Sequence, residues 1–206
     1  MPWSGVARGS LTIASLQPTT DAARIAAGTD AELIARAQAG DRAAFGVLVG
    51  RYAQTVRRVT RAVLNDPDDA DDAAQDAFLS AMVRLKQYDA RRAFGPWLVR
   101  IAVNAATDRR RRRAVRRVEP LGAYLQAAGT LPDADTDRRA LGQRLRRALA
   151  ELPERRRVAI VLFEVEGYSH AEIGHILGMP EGTVRSEVFH ARRVLRTLLS
   201  DWRDEI

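Results

Sequence analysis

Cysteine is absent from the 206 residues, which excludes disulfides and thiolate metal sites. Histidine is scarce: His170, His175 and His190 are the only three. His170 and His175 stand five positions apart, whereas ligation from one helix face needs a spacing of three or four. No metal site, catalytic residue or cofactor is therefore expected. No apolar run approaches the ~18–20 residues a membrane span requires, and the first 29 residues lack the charged start and long apolar stretch of a signal peptide. A cytoplasmic protein with no membrane insertion of its own is the expectation. Strand-like alternation is missing throughout, so the fold class expected is all-α.

What is abundant is arginine. Thirty-three basic against twenty-six acidic side chains leave a net charge of +7, and Lys86 is the single lysine. An excess of this size points to a polyanionic partner. The arginine bias suits bidentate contact with phosphate and guanine, yet it also follows from a GC-rich genome, so composition alone does not decide.

Along the chain, residues 1–28 are rich in Gly, Ser, Thr, Pro and Ala without a period and read as a tail. Thr29-Asp30-Ala31-Glu32 matches a capping box, opening a helix with Leu33, Ile34 and Ala37 on one face. After Gly40-Asp41, a longer helix carries Phe45, Leu48, Val49, Tyr52, Val56, Val59 and Val63 at threes and fours. Asp66-Pro67 places a cap and a first-turn proline at the start of a third helix. Its apolar side is Ala70, Ala74, Ala77, Phe78, Ala81, Met82 and Leu85. A polar break over residues 87–93 precedes a fourth helix from Phe94, with Trp97, Leu98, Ile101, Ala102 and Ala105 inward. Residues 119–137 lose all period and read as a linker. Leu141, Leu145, Leu149 and Leu152 restart a helix closed by Pro153, and residues 158–163 form a buried helical run. The domains expected are 29–117 and 138–206, joined by 118–137.

The strongest local pattern spans residues 169–199. A capping box at Ser169-His170-Ala171-Glu172 opens a short helix with Ile173, Ile176 and Leu177 inward, broken at Gly178-Met179-Pro180. A longer helix follows, with Val184, Val188, Ala191, Leu195 and Leu198 on its core face. This is the helix-turn-helix pattern, in which the first helix braces a second that enters a major groove. Arg185, Ser186, Phe189 and Arg193 fall away from the core stripe and are candidates for DNA contact. A plain αα-hairpin with a solvated arginine face is the weaker account, because pattern, polarity and length agree.

Seven of the nine residues 109–117 are arginine, a run that suits nucleic acid or a solvated helix end. Asn104 can pair with a base edge or simply face water, and Phe94 and Trp97 suit the core better than base stacking. Asp68, Asp69, Asp71 and Asp72 crowd the start of the third helix, where the dipole favours carboxylates. Asp72, Gln75 and Asp76 lie further in and require solvation or a basic protein partner.

Taken together these segments resemble the extracytoplasmic-function branch of the sigma-factor family. Residues Asp71-Asp72-Ala73-Ala74-Gln75-Asp76-Ala77-Phe78 are similar to its polymerase-binding helix. The run from Phe94 through Trp97-Leu98, Arg100-Ile101-Ala102 and Asn104 resembles its Phe-x-x-Trp-Leu-x-x-Ile-Ala-x-Asn signature. Leu152-Pro153-Glu154-Arg155-Arg156-Arg157 with Gly182-Thr183-Val184-Arg185-Ser186 resembles its promoter-binding C-terminal domain. The likeness covers about residues 30–115 and 138–200. It implies two small helical domains on a flexible linker, core RNA polymerase and promoter DNA as partners, and control by an anti-sigma factor. Asp72, Gln75, Asp76 and Phe78 would bind the polymerase. Trp97, Arg100, Asn104, Arg109, Arg111, Arg112 and Arg113 would hold the minus-ten element. Thr183, Arg185, Ser186, Glu187, Phe189, His190 and Arg193 would meet the minus-thirty-five element. Glu187 and His190 stand where the family commonly carries basic residues. A carboxylate there weakens phosphate affinity unless it accepts from a cytosine amino group. Within its own helix, Arg192 and Arg193 are five and six positions away, outside the favourable three or four, and His190, at three, could pair only when protonated.

Two rivals leave residues unexplained. A helix-turn-helix regulator acting without polymerase leaves the acidic helix and residues 97–104 unused. A nuclease needs converging carboxylates or a metal site, which the sequence does not offer.

Overall fold

A computed structural model describes residues 28–116 and 136–200. The tail and linker expected from the sequence lie almost wholly outside the described residues. Those described are helical with short turns: α1 (Asp30–Gln38), α2 (Arg42–Val63), α3 (Pro67–Arg84), a 3-10 turn (Leu85–Gln87), α4 (Phe94–Arg116), α5 (Thr136–Ala150), α6 (Glu154–Glu164), α7 (His170–Leu177) and α8 (Glu181–Ser200).

The helix starts follow from side chains that satisfy otherwise unpaired amides. At α1 the Thr29 hydroxyl accepts from the Glu32 amide, while the Thr29 amide donates to the Glu32 carboxylate at 2.8 Å. The Asp41 carboxylate accepts from Ala43 and Ala44 at 3.0 and 3.1 Å to start α2. Asp66 accepts from Asp68 and Asp69 at 3.1 Å, with Pro67 in the first turn of α3. Both capping boxes read from the sequence are present, the second at Ser169 and Glu172.

Two cores result. The first gathers Leu33, Ile34, Leu48, Val56, Phe94, Leu98 and Ile101 around the alanines Ala74, Ala77 and Ala81 of α3. Small side chains there let α2 and α4 approach α3 closely. The second core is shared between the N-terminal and C-terminal units. Val59, Ala62 and Val63 of α2 and Val99, Val103 and Ala106 of α4 pack with Val158 to Leu162 of α6, Ile173 and Ile176 of α7, and Val184, Val188 and Ala191 of α8. Helix α4 is thus apolar on two sides, and α2 meets α6 while α4 meets α7.

Polar groups seal this junction. Arg157, 7% exposed, donates from Nε to the Ala62 carbonyl at 2.6 Å and from Nη2 to Val63 at 3.5 Å. Its Nη1 reaches the carbonyls of Leu152 and Ala150 at 3.1 and 3.4 Å. Glu166, with a side chain 5% exposed, accepts from Thr55 at 2.7 Å and pairs with Arg58. Arg110 pairs with Glu154.

Several apolar positions differ from the expected faces. Met82, Leu141, Leu145 and Leu198 remain exposed, because a helical period states which face is apolar and not how far a neighbour covers it. Trp97 is partly buried rather than central, tilted against Tyr88 and Phe94 in an aromatic cluster at centroid distances of 4.7 and 5.4 Å.

The helix-turn-helix turn is fixed by two glycines. Gly178 ends α7 in the left-handed region at φ 66°, which glycine adopts without a Cβ penalty. Gly174 lies under the turn, where a Cβ would stand 2.7 Å from the Met179 carbonyl oxygen. Gly174→Ala should therefore push the turn apart and cost about 1–3 kcal/mol, a fall of about 2–12 °C in Tm. Calorimetry on the full chain measures this, and an unchanged Tm would show that the turn yields freely.

Candidate polymerase and promoter interfaces

Three surfaces hold the residues singled out in the sequence. The first is the outer face of α3. Asp72, Gln75 and Asp76 are exposed, and Leu79, Met82 and Val83 continue the same face to the C-terminal end of the helix. Spacings of three, four and seven place all six in one row. Phe78 instead leans inward and packs against the first core. Leu79 and Val83 are not among the residues expected on this face, although their helical phase with Asp72 and Asp76 places them there.

The carboxylates of α3 are not simply waiting for an outside cation. Arg109 Nε donates to Asp69 at 2.9 Å, the same guanidinium pairs with Asp72, and its Nη1 lies 3.8 Å from Asp76. Arg113 pairs with Asp66 at 2.7 Å and with Asp69. Arg57 and Arg61 flank Asp71 at 3.9 and 3.3 Å. The Arg113 guanidinium, helped by the capped amides, holds the Asp66 carboxyl below its ordinary value. The carboxylates in turn raise Arg109, chiefly through Asp69, and Arg113, chiefly through Asp66. Arg109 and Arg113 turn toward α3, since α4 continues as a helix to Arg116 and these positions share its α3-facing side. Arg111 and Arg112 are exposed, Arg111 with only a 3.8 Å approach to Asp108.

The second surface is the row Trp97, Arg100, Asn104 and Arg111 along α4. Arg100 and Asn104 are exposed. Trp97 and Arg100 line a cleft completed by Glu172, His175 and Ile176 of α7.

The third is α8. With Val184, Val188 and Ala191 buried, Thr183, Arg185, Ser186, Phe189 and Arg193 are exposed, while Glu187 and His190 are partly covered. Arg185 makes a 2.9 Å pair with Glu181 one turn back, and the rings of Phe189 and His190 meet edge to face at 5.6 Å. Arg192 pairs with Glu164 and lies over the Phe163 ring at 5.1 Å. Glu187, which has no favourable partner within its own helix, finds one across the fold: Arg156 of α6 donates from Nε at 2.8 Å.

Residues 48–116 match the family model for Sigma-70 region 2, and residues 142–195 match that for Sigma-70 region 4. The chain is 39% identical over 171 residues to the ECF RNA polymerase sigma factor SigM of Mycobacterium tuberculosis, covering 83% of this chain and 85% of that protein. It is 37% identical over 177 residues to the ECF RNA polymerase sigma-E factor of Escherichia coli, covering 81% and 92%. Its fold is similar to that of CnrH, solved in complex with the cytosolic domain of CnrY, with a TM-score of 0.63 and 30% identity over 84% of this chain and 97% of that one. Among the described residues no helix is long and apolar enough to cross a membrane. The order of its helices, the two matched regions and relatives aligned along most of its length agree: the chain belongs to the ECF RNA polymerase sigma factors of the sigma-70 family.

Proposed function

We propose that this chain binds core RNA polymerase in the cytoplasm, associating with the nucleoid when so bound, and directs the enzyme to a set of promoters. It acts as an initiation factor and not as an enzyme. The observation that carries this reading is α8, whose buried Val184, Val188 and Ala191 lock it against the preceding helices while Arg185, Ser186, Phe189 and Arg193 face outward. That is the geometry a major-groove helix needs. Residues 29–117 form the unit that serves polymerase and the minus-ten element, residues 138–206 the unit that serves the minus-thirty-five element, and residues 118–137 the tether between them.

In this reading Asp72, Gln75 and Asp76 present acceptors to a basic polymerase surface. The exposed Leu79, Met82 and Val83 add apolar area beside them, and Phe78 holds the helix in place. Trp97, Arg100 and Asn104, with Arg111 and Arg112, receive the minus-ten strand, while Arg109 and Arg113 shape that face from behind. Thr183, Arg185, Ser186, Phe189, His190 and Arg193 meet the minus-thirty-five duplex. An anti-sigma factor holds the chain inactive; CnrH, its structural relative, was solved with another protein's cytosolic domain bound. With no cysteine in the chain, it cannot sense oxidants by thiol chemistry of its own, and a thiol-based signal reaches it through a partner. Affinity capture from uninduced cells should recover an anti-sigma factor with the chain, and recovery of polymerase subunits alone would count against this control.

One pair of variants separates the two surfaces. Asp72→Lys with Asp76→Lys should abolish co-purification with core polymerase at unchanged helicity, while Asn104→Ala should keep polymerase and lose open complexes on a cognate linear promoter. Polymerase retained by the first variant, or full transcription by the second, would remove the corresponding assignment.

Asp69 governs how much of the arginine run is available, because its carboxylate serves both Arg109 and Arg113. Asp69→Asn should tighten binding to DNA of any sequence. It should also steepen the dependence of log K on log salt by up to about one unit per guanidinium released. A salt titration by fluorescence anisotropy reads both, and an unchanged slope would mean that Asp66 and Asp72 suffice to hold the two arginines.

A further inference from the structure

The Arg156–Glu187 pair joins residues 31 positions apart and stands apart from the other pairs of the C-terminal unit. Glu181–Arg185 and Glu164–Arg192 lie at the surface, whereas the Glu187 and Arg156 side chains are only 23% and 34% exposed. Glu187 is one turn from Thr183 and three positions from His190, so it lies at the edge of α8 between the buried stripe and the outward row. Arg156 reaches that edge from the first turns of α6.

The atoms used are informative. Arg156 engages Glu187 Oε2 through Nε alone, and no described protein group accepts from its Nη1 or Nη2. A guanidinium gripped at Nε has its rotamer set and its outer pair of amino groups unspent. That outer pair is the fork that matches two oxygens of a phosphate. The pair is also close to neutral as a unit, which removes the repulsion that a lone carboxylate at this edge would exert on DNA. The chain thereby carries a cation beside α8 at the place where Glu187 itself supplies none.

We propose that Arg156 is a DNA-contacting residue of the minus-thirty-five unit, binding a backbone phosphate through Nη1 and Nη2, and that Glu187 is its positioning residue. The contact falls on the backbone, since Arg156 belongs to a bracing helix and not to the one that enters the groove. This inference rests on α8 being the groove-binding helix. It replaces the expectation that the Glu187 carboxylate reads a cytosine: Oε2 is committed to Arg156, and the side chain is mostly covered.

The test uses the full chain assembled with core polymerase and a duplex carrying the minus-thirty-five element, with Tm recorded for every variant. Arg156→Met keeps the aliphatic stem and should weaken binding roughly three- to tenfold, equally across minus-thirty-five sequences, while lowering the salt slope by about one unit. Glu187→Ala should produce the same uniform loss, and Glu187→Gln, whose amide oxygen still accepts from Nε, should restore most of it. Unchanged affinity and slope in Arg156→Met would overturn the proposal. So would a loss that tracks a fall in Tm with no change in slope, which marks a brace between α6 and α8. A Glu187→Ala loss confined to one base position would return the base-reading role to Glu187 and overturn its positioning role. Ser186→Ala with Arg193→Ala is the control: if these also leave binding intact, the assignment of α8 itself fails, whereas a loss there beside an unaffected Arg156→Met refutes this inference alone.

Discussion

The buried guanidinium of Arg157 fixes the relation between the two halves of the molecule. Among the described residues it has no carboxylate partner. The hydrogen bonds it donates go to carbonyls: Ala62 and Val63 at the end of α2, Ala150 at the end of α5 and Leu152 just beyond it. The last carbonyls of a helix lack intrahelical donors and sit at its negative end, so one cation there satisfies several unpaired acceptors at once. Burial, and after it the nearby Arg110 charge, lower the Arg157 pKa, but a guanidinium has ample range to stay charged. Because Arg157 belongs to α6, this anchoring places α6 on α2 and with it α7 and α8, which pack on α6. The Glu166 contacts with Thr55 and Arg58 and the Arg110–Glu154 pair then close the rim of the same junction.

That junction determines what each interface can offer. Trp97 and Arg100 share a cleft with Glu172, His175 and Ile176 of α7, so anything reaching Trp97 enters a space whose far wall belongs to the C-terminal unit. The outward row of α8 is on no such wall, since α8 packs on α5, α6 and α7 and leaves Ser186, Phe189 and Arg193 exposed. The outer face of α3 is likewise open. In the arrangement described, the outer face of α3 and the outward row of α8 are accessible together, and the Trp97–Arg100 face of α4 is the one bounded by α7.

Much of this was legible in the sequence because it is local. Thr29 with Glu32 and Ser169 with Glu172 are capping boxes readable within four residues, and both are formed. The buried stripe of Val184, Val188 and Ala191 follows from helical period alone. What escaped is what period cannot carry. A repeat of leucines states which face is apolar and not whether a neighbour exists to cover it, which is why Leu141, Leu145, Leu198 and Met82 remain exposed. The second apolar side of α4, Val99, Val103 and Ala106, is hidden in sequence by a helix apolar on two faces. Arg157 looked like one member of an arginine triplet, and Glu187 looked unpaired, because their partners lie far along the chain.

The acidic helix and the arginine run share one charge ledger, and exposure decides which contacts persist. Asp69 is mostly covered, so its pairs with Arg109 and Arg113 are screened less than those at the surface. Asp72 and Asp76 are each 55% exposed, and the Asp76 approach to Arg109 is long; contacts of this kind contribute about 0–1 kcal/mol. A basic surface brought against α3 can take over Asp72 and Asp76 at little cost while Arg109 stays on Asp69. The run is thus divided by depth. Arg109 and Arg113 are paired with α3, Arg111 and Arg112 are exposed along α4, and Asp72 and Asp76 are the most exposed of the α3 carboxylates that Arg109 and Arg113 reach.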